Sequence, residues 1–178
     1  MASRSKLPEL EFWSIDHRFG LRFSLTQLEV VLRYCQKALP DETGGILVGY
    51  YSANLDCAIV TSFSGPPPDS SHGRTWFKRG VAGLQKWLDR LWIERTAYYL
   101  GEWHFHPFAS PEPSSDDNKQ LWKFADAPNL HCPEPVLLIV GGDPKELLTC
   151  RLDAYVFTNG TIRQRLGQEP CQQREPES

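Results

Sequence analysis

A chain of 178 residues, 40% hydrophobic and 23% charged, has the length of one domain and enough apolar material for a core. Its formal net charge of -3 argues against nucleic acid as the main partner, since phosphate binding needs a basic face. No signal peptide is expected, because no apolar stretch follows the polar Met1 to Pro8, and no run approaches a membrane span; the expected setting is cytoplasmic, away from a membrane.

In chain order, Phe12 to Phe23 suits one or two early strands. Ser24-Leu25-Thr26-Gln27 reads as a capping box. Behind it Leu25, Leu28, Val31, Leu32, Cys35 and Leu39 recur at helical spacing, and Pro40 stops that helix. Glu42-Thr43-Gly44-Gly45 leads into a short apolar strand, Ile46 to Tyr51, and a second strand fits Cys57 to Phe63. Gly65 to Gly73 is a loop by composition. A second amphipathic helix is expected from about Thr75 to Glu94, with Val81, Leu84, Leu88, Leu91 and Trp92 on one side. The basic residues Arg74, Lys78, Arg79, Lys86 and Arg90 are read as a solvated face.

Ala97 to His106 reads as a strand, Phe108 to Pro113 as a proline-bearing loop, and Ser114 to Asp126 as a short third helix. Val136 to Val140 is the clearest core strand. Two more strands, Arg151 to Phe157 and Thr161 to Leu166, would join through an Asn159-Gly160 hairpin turn. Strands and helices alternate loosely, which predicts an α/β fold: a sheet with helices on both faces. One domain is expected over residues 1–167, with a polar, disordered tail at 168–178. The cysteines, Cys35, Cys57, Cys132, Cys150 and Cys171, are odd in number and form no C-x-x-C pair. They suit reduced thiols of a cytosolic protein.

The chemistry concentrates around His104-Phe105-His106-Pro107. Residues two apart on a strand share a face, so the two imidazoles aim together while Phe105 turns into the core. Ser114-x-x-Asp117 is first of all a helix start, with serine as N-cap. It is also compatible with Asp117 facing the imidazoles once the loop folds the helix back over the strand end. Two nitrogens and one oxygen make a three-ligand zinc site with water in the fourth position. Asp116 is the rival ligand; Glu112 and Glu102 are weaker candidates, read as solvated acids. Glu42 sits in a turn, where an acid is ordinarily solvated. The following Gly44 and Gly45 permit close backbone approach, and the strand they open is apolar enough to be central. Zinc lowers the pKa of its water to roughly 7, a free carboxylate can shuttle the proton, and a hydroxyl can steady an oxyanion. His104, His106 and Asp117 as ligands, Glu42 as proton shuttle and Ser114 as hydroxyl donor supply every part needed for amide hydrolysis.

Glu42, His104-x-His106-Pro107, six residues, Ser114, two residues and Asp117 resembles the signature of the JAMM (JAB/MPN) zinc metalloproteases. Glu42 to Gly49, Gly101-Glu102-Trp103, Gly65-Pro66, Arg74 and Phe77 look like the prokaryotic branch, and the resemblance covers most of residues 20–160. It departs at Phe105, where the family usually has serine or threonine. The resemblance implies a three-layer α-β-α fold like that of the cytidine deaminases. It implies one zinc per chain and cleavage after the C-terminal residue of ubiquitin or a ubiquitin-like protein. That activity would be deconjugation or precursor processing, in a bacterial conjugation or antiphage setting with E1- or E2-like partners. The stretches Gly65 to Arg79 and Phe108 to Pro113 are expected on either side of the substrate tail. A non-catalytic scaffold of the same fold is the alternative; a mononuclear iron(II) oxygenase and a cysteine peptidase fit less of the chain.

Overall fold

The structure is a computed structural model and describes residues 8–127, 132–146, 149–158 and 162–169. Among these, the order is β1 (Glu9–Trp13), β2 (Gly20–Ser24), α1 (Leu25–Ala38), β3 (Thr43–Tyr51), β4 (Cys57–Phe63), β5 (Ser71–Gly73) and β6 (Trp76–Lys78). Then come α2 (Leu84–Arg95), β7 (Tyr98–Pro107), α3 (Ser115–Ala125), β8 (Val136–Gly142), β9 (Arg151–Thr158) and β10 (Ile162–Glu169).

Eight strands form one mixed sheet in the order β1-β10-β9-β8-β7-β3-β4-β2, and β1 pairs with β2 to close it as a barrel. The expected sheet with a helix layer on each side is thus present in curled form, and closure is the feature the sequence pattern did not give. It depends on β1 pairing with both β2 and β10, the latter through Glu11 to Trp13 against Gly167 to Glu169, a contact that spans almost the whole chain. β10 itself runs to Glu169, so the first two residues of the expected tail are strand; residues 170–178 and the Asn159-Gly160 turn lie outside the described residues.

Alternation along the strands assigns the layers. Val136, Leu138 and Val140 face the barrel interior, where Val31, Leu32 and Cys35 of α1 fill the space between Phe12, Phe23, Trp103 and Phe105. Each such apolar side chain, fully buried, contributes about 1.5–3 kcal/mol. On the outer surface α2 covers Ile46, Val48 and Tyr99, while α3 covers Leu137, Ile139 and Phe157 through Leu121 and Trp122. One helix packed by one side against the inward face of the sheet and two on its outer face are the curled equivalent of helices on both faces.

α1 starts as its capping box predicts: Gln27 N–H donates to Ser24 Oγ, and Ser24 N–H donates to Gln27 Oε1 at 2.7 Å. α2 is shorter than the expected Thr75 to Glu94. Residues 76–78 pair with 71–73 as a two-stranded hairpin, and Asp69 takes the backbone N–H groups of Val81 and Ala82. A carboxylate twelve residues upstream of Val81 thus delays the helix, and Gly83, at φ +80°, is its N-cap. Val81 and Trp92, expected on the buried side, are exposed. Gly101 adopts φ +150°, and a Cβ there would lie 1.9 Å from the Val136 carbonyl oxygen, so the close parallel pairing of β7 with β8 requires glycine. Cys35, Cys57 and Cys132 are buried free thiols and Cys150 a half-buried one. No helix among the described residues is long and apolar enough to cross a membrane.

Candidate metal centre and its cleft

β7 carries the site. Trp103 and Phe105 point into the barrel, both fully buried, so Glu102, His104 and His106 share the outer face. Phe105, the departure from the family pattern, therefore faces core. The loop at 108–113 folds back onto β8 and β9, with Ala109 and Pro111 against Gly141 and the Tyr155 hydroxyl donating to the Pro111 carbonyl. That return brings the first turn of α3 over the end of β7.

There Ser114 is the N-cap. Its Oγ accepts from Asp117 N–H at 3.1 Å, and Asp117 Oδ2 accepts from Ser114 N–H at 2.8 Å. The cap fixes Asp117 with its other oxygen, Oδ1, 2.5 Å from His104 Nδ1; Oδ2 is also 3.5 Å from His106 Nε2. The helix start at Ser114 and the approach of Asp117 to both imidazoles occur together. One potential ligand atom from each of His104, His106 and Asp117 lies within 4.8 Å of the others, and all three residues are buried. Asp116 instead points to solvent and pairs with Lys119, and Glu112 is exposed.

Glu42 reaches the site through β3. Thr43 pairs with Phe105 and Gly44 with His104, so extending the antiparallel register by one residue sets Glu42 beside His106. Gly44 makes this possible: a Cβ there would meet Phe77 at 2.8 Å and the His104 ring at 3.0 Å. Glu42 and Ser114 to Asp117, Asp116 at the solvent side included, line one cleft of about 610 Å³ together with Thr75 to Lys78 and Gln120. Its walls are the β5–β6 hairpin and the first turn of α3. The hairpin falls within the expected Gly65 to Arg79 wall; the expected Phe108 to Pro113 wall does not line the cleft, because that loop is spent on turning the chain.

Charge is tightly arranged here. Burial works against an ionised Asp117, but the hydrogen bonds from His104 and His106, with that from Ser114, hold its carboxyl well below the usual range. Burial also opposes a charged His104, yet Asp117 and Glu102 outweigh it and push the imidazole up to about 9. Burial raises Glu42, an effect the two imidazoles moderate and Asp117 reinforces. A raised carboxyl suits a group that takes and returns a proton near neutrality.

Glu102 corrects the sequence reading most sharply. It is wholly buried rather than solvated. Its Oε1 accepts from Arg79 Nε at 2.9 Å and lies 2.8 Å from Arg79 Nη2, and its Oε2 accepts from Gln120 at 3.1 Å. Arg79 is correspondingly buried against Glu102 and the Phe124 ring instead of lying on a solvated helix face. The two-residue period that aligns His104 with His106 also places Glu102 on their face, which is the signal that could have found it.

Residues 26–153 match the family described as prokaryotic homologs of the JAB domain. The chain is 42% identical over 142 residues to a protein of Enterobacter hormaechei subsp. hoffmannii named CD-NTase/cGAS isopeptidase, covering 80% of this chain and 78% of that one. It is 30% identical over 124 residues to the "Probable metalloprotease y4qB" of Sinorhizobium fredii, covering 68% and 75%. In fold it is similar to the solution structure of protein DSY2949 from Desulfitobacterium hafniense, with a TM-score of 0.53 at 20% identity over 81% of this chain and 86% of that one.

Proposed function

This chain belongs to the prokaryotic homologs of the JAB domain, and on that premise we propose that it is a zinc-dependent isopeptidase acting after the C-terminal residue of a ubiquitin-like modifier. The observation that carries the reading is convergence on Asp117: this capped carboxylate gathers with the His104 and His106 imidazoles, and it lines a cleft together with the half-buried Glu42 and Ser114. Two nitrogens and one oxygen within 4.8 Å are a donor set that fits zinc with a coordination position to spare. His104, His106 and Asp117 would hold the ion. Zinc bound there would supply Lewis acidity, making hydroxide available near neutral pH.

The chain's own groups do the rest. Glu42, beside His106, accepts the proton of the attacking water and returns it to the departing amine. Ser114 Oγ uses a lone pair to cap α3, which leaves its O–H proton to donate to the oxygen that gains charge as the carbonyl is attacked. The β5–β6 hairpin pairs with no third strand among the described residues, so it offers backbone groups to which an extended tail can add as a strand. Trp76 stands half-exposed on that wall.

The Enterobacter relative's name points to a conjugate on a CD-NTase as the target class, and the setting is a cytoplasmic conjugation system with E1- or E2-like partners, of the kind that serves antiviral defence. A non-catalytic scaffold is disfavoured by the complete donor set with Glu42 alongside. The test is hydrolysis of a ubiquitin-like modifier fused or conjugated to a protein. Phenanthroline is expected to stop turnover and added zinc to restore it. Stoichiometric zinc with no cleavage of such fusions would favour the scaffold.

A further inference from the structure

Behind the metal centre lies a buried ionic cluster that metal binding and proton transfer leave without a task. Glu102 is fully buried, and Arg79 holds its Oε1 with two nitrogens. The Tyr99 hydroxyl, at 3.5 Å, and Gln120 complete its surroundings. The second oxygen, Oε2, looks at His104 Nε2 from 3.7 Å. That nitrogen is buried and has no hydrogen-bond partner among the described atoms, while Nδ1 of the same ring faces Asp117.

We infer that Glu102 is a positioning residue of the metal centre: its carboxylate, clamped by Arg79, keeps the proton of His104 on Nε2 and so presents Nδ1 to the ion beside Asp117. The separation is too long for a full hydrogen bond. Both groups are buried, though, and there a negative charge at that distance favours the tautomer with hydrogen on the nearer nitrogen. A carboxylate behind a ligating imidazole also fixes the ring and makes its other nitrogen a better donor. Arg79 makes the arrangement rigid. It follows β6 directly, touches Phe124 of α3 with its guanidinium face, and so ties the hairpin wall and the capping helix to the strand that carries the histidines.

The inference rests on the metal-centre reading, and the two fail differently. The decisive measurement is the nitrogen-15 spectrum of His104 in the unaltered full chain loaded with zinc. The expected result is a protonated Nε2 and a metal-shifted Nδ1. Zinc bound through Nε2 overturns the inference and leaves the proposed function standing; failure to bind zinc at all overturns both. A double variant, Glu102→Gln with Arg79→Met, removes both buried charges at once and is expected to fold. Its zinc affinity, read by chelator competition, should fall about 10- to 100-fold. Val31→Ala, inside the barrel, lowers the melting temperature without changing that affinity and so controls for general loosening. Unaltered affinity in the folded double variant also overturns the inference.

Discussion

Asp117 both receives the backbone N–H of Ser114 on one carboxylate oxygen and holds the other 2.5 Å from His104 Nδ1. One side chain starts helix α3 and completes the buried triad. Asp117→Asn separates the tasks, because the amide oxygen can still accept from Ser114 while the charge opposite His104 is gone. The variant is expected to keep its helical circular dichroism and lose zinc; full zinc occupancy would remove Asp117 from the ligand set. His104→Ala is expected to lose zinc likewise.

Glu42→Gln is expected to retain zinc and to lower hydrolysis by about 10²- to 10⁴-fold, the usual contribution of a positioned proton carrier. Burial disfavours the ionised Glu42, so the neutral amide should not lower the melting temperature. Turnover close to the unaltered enzyme would reassign the proton shuttle.

The metal-free protein has a defined stability window. His104 is raised from 6.5 to about 9 in the fold, so its contribution is fully present below pH 6.5 and is lost as pH rises through about 9. Asp117 is depressed below 3.8, so its contribution is present above that value and is lost as pH falls toward its folded pKa. Chelator-treated protein should therefore melt highest between about pH 4 and 6.5. Zinc must displace the His104 proton, so apparent affinity should rise about tenfold per pH unit between roughly pH 6 and 8. A flat affinity profile, or a stability maximum above pH 9, would contradict this electrostatic arrangement.

Breaking the Glu102–Arg79 pair from one side is worse than removing it. Arg79→Met alone strands a buried carboxylate and should destabilise the fold by about 3–5 kcal/mol in denaturant titration. The double variant should recover most of that loss.

Trp76→Ala tests the cleft wall. The side chain is half-exposed and should contribute little to stability, within about 0.5 kcal/mol. If the modifier tail lies along the hairpin, KM should rise roughly tenfold, about 1.4 kcal/mol, with kcat little changed. An unchanged KM would put the tail elsewhere.

The sequence by itself determined the local half of this protein. Ser24 with Gln27, and Ser114 with Asp117, announce their helices because a cap acts over three residues. The period of a strand aligns His104 with His106 and turns Phe105 inward, again a relation between near neighbours. The spacing of the motif names the family because it lists which residues are needed without saying how they meet. Tertiary structure decided the rest through contacts that carry no local signature. Asp69 halts α2 from twelve residues upstream of Val81, the register of β3 on β7 brings Glu42 to His106, and β1 closes the barrel against β2 and β10. Glu102 and Arg79 read as solvated charges because burial of an ion is tolerable only where its partner already waits, and that partner lies 23 residues away in the chain.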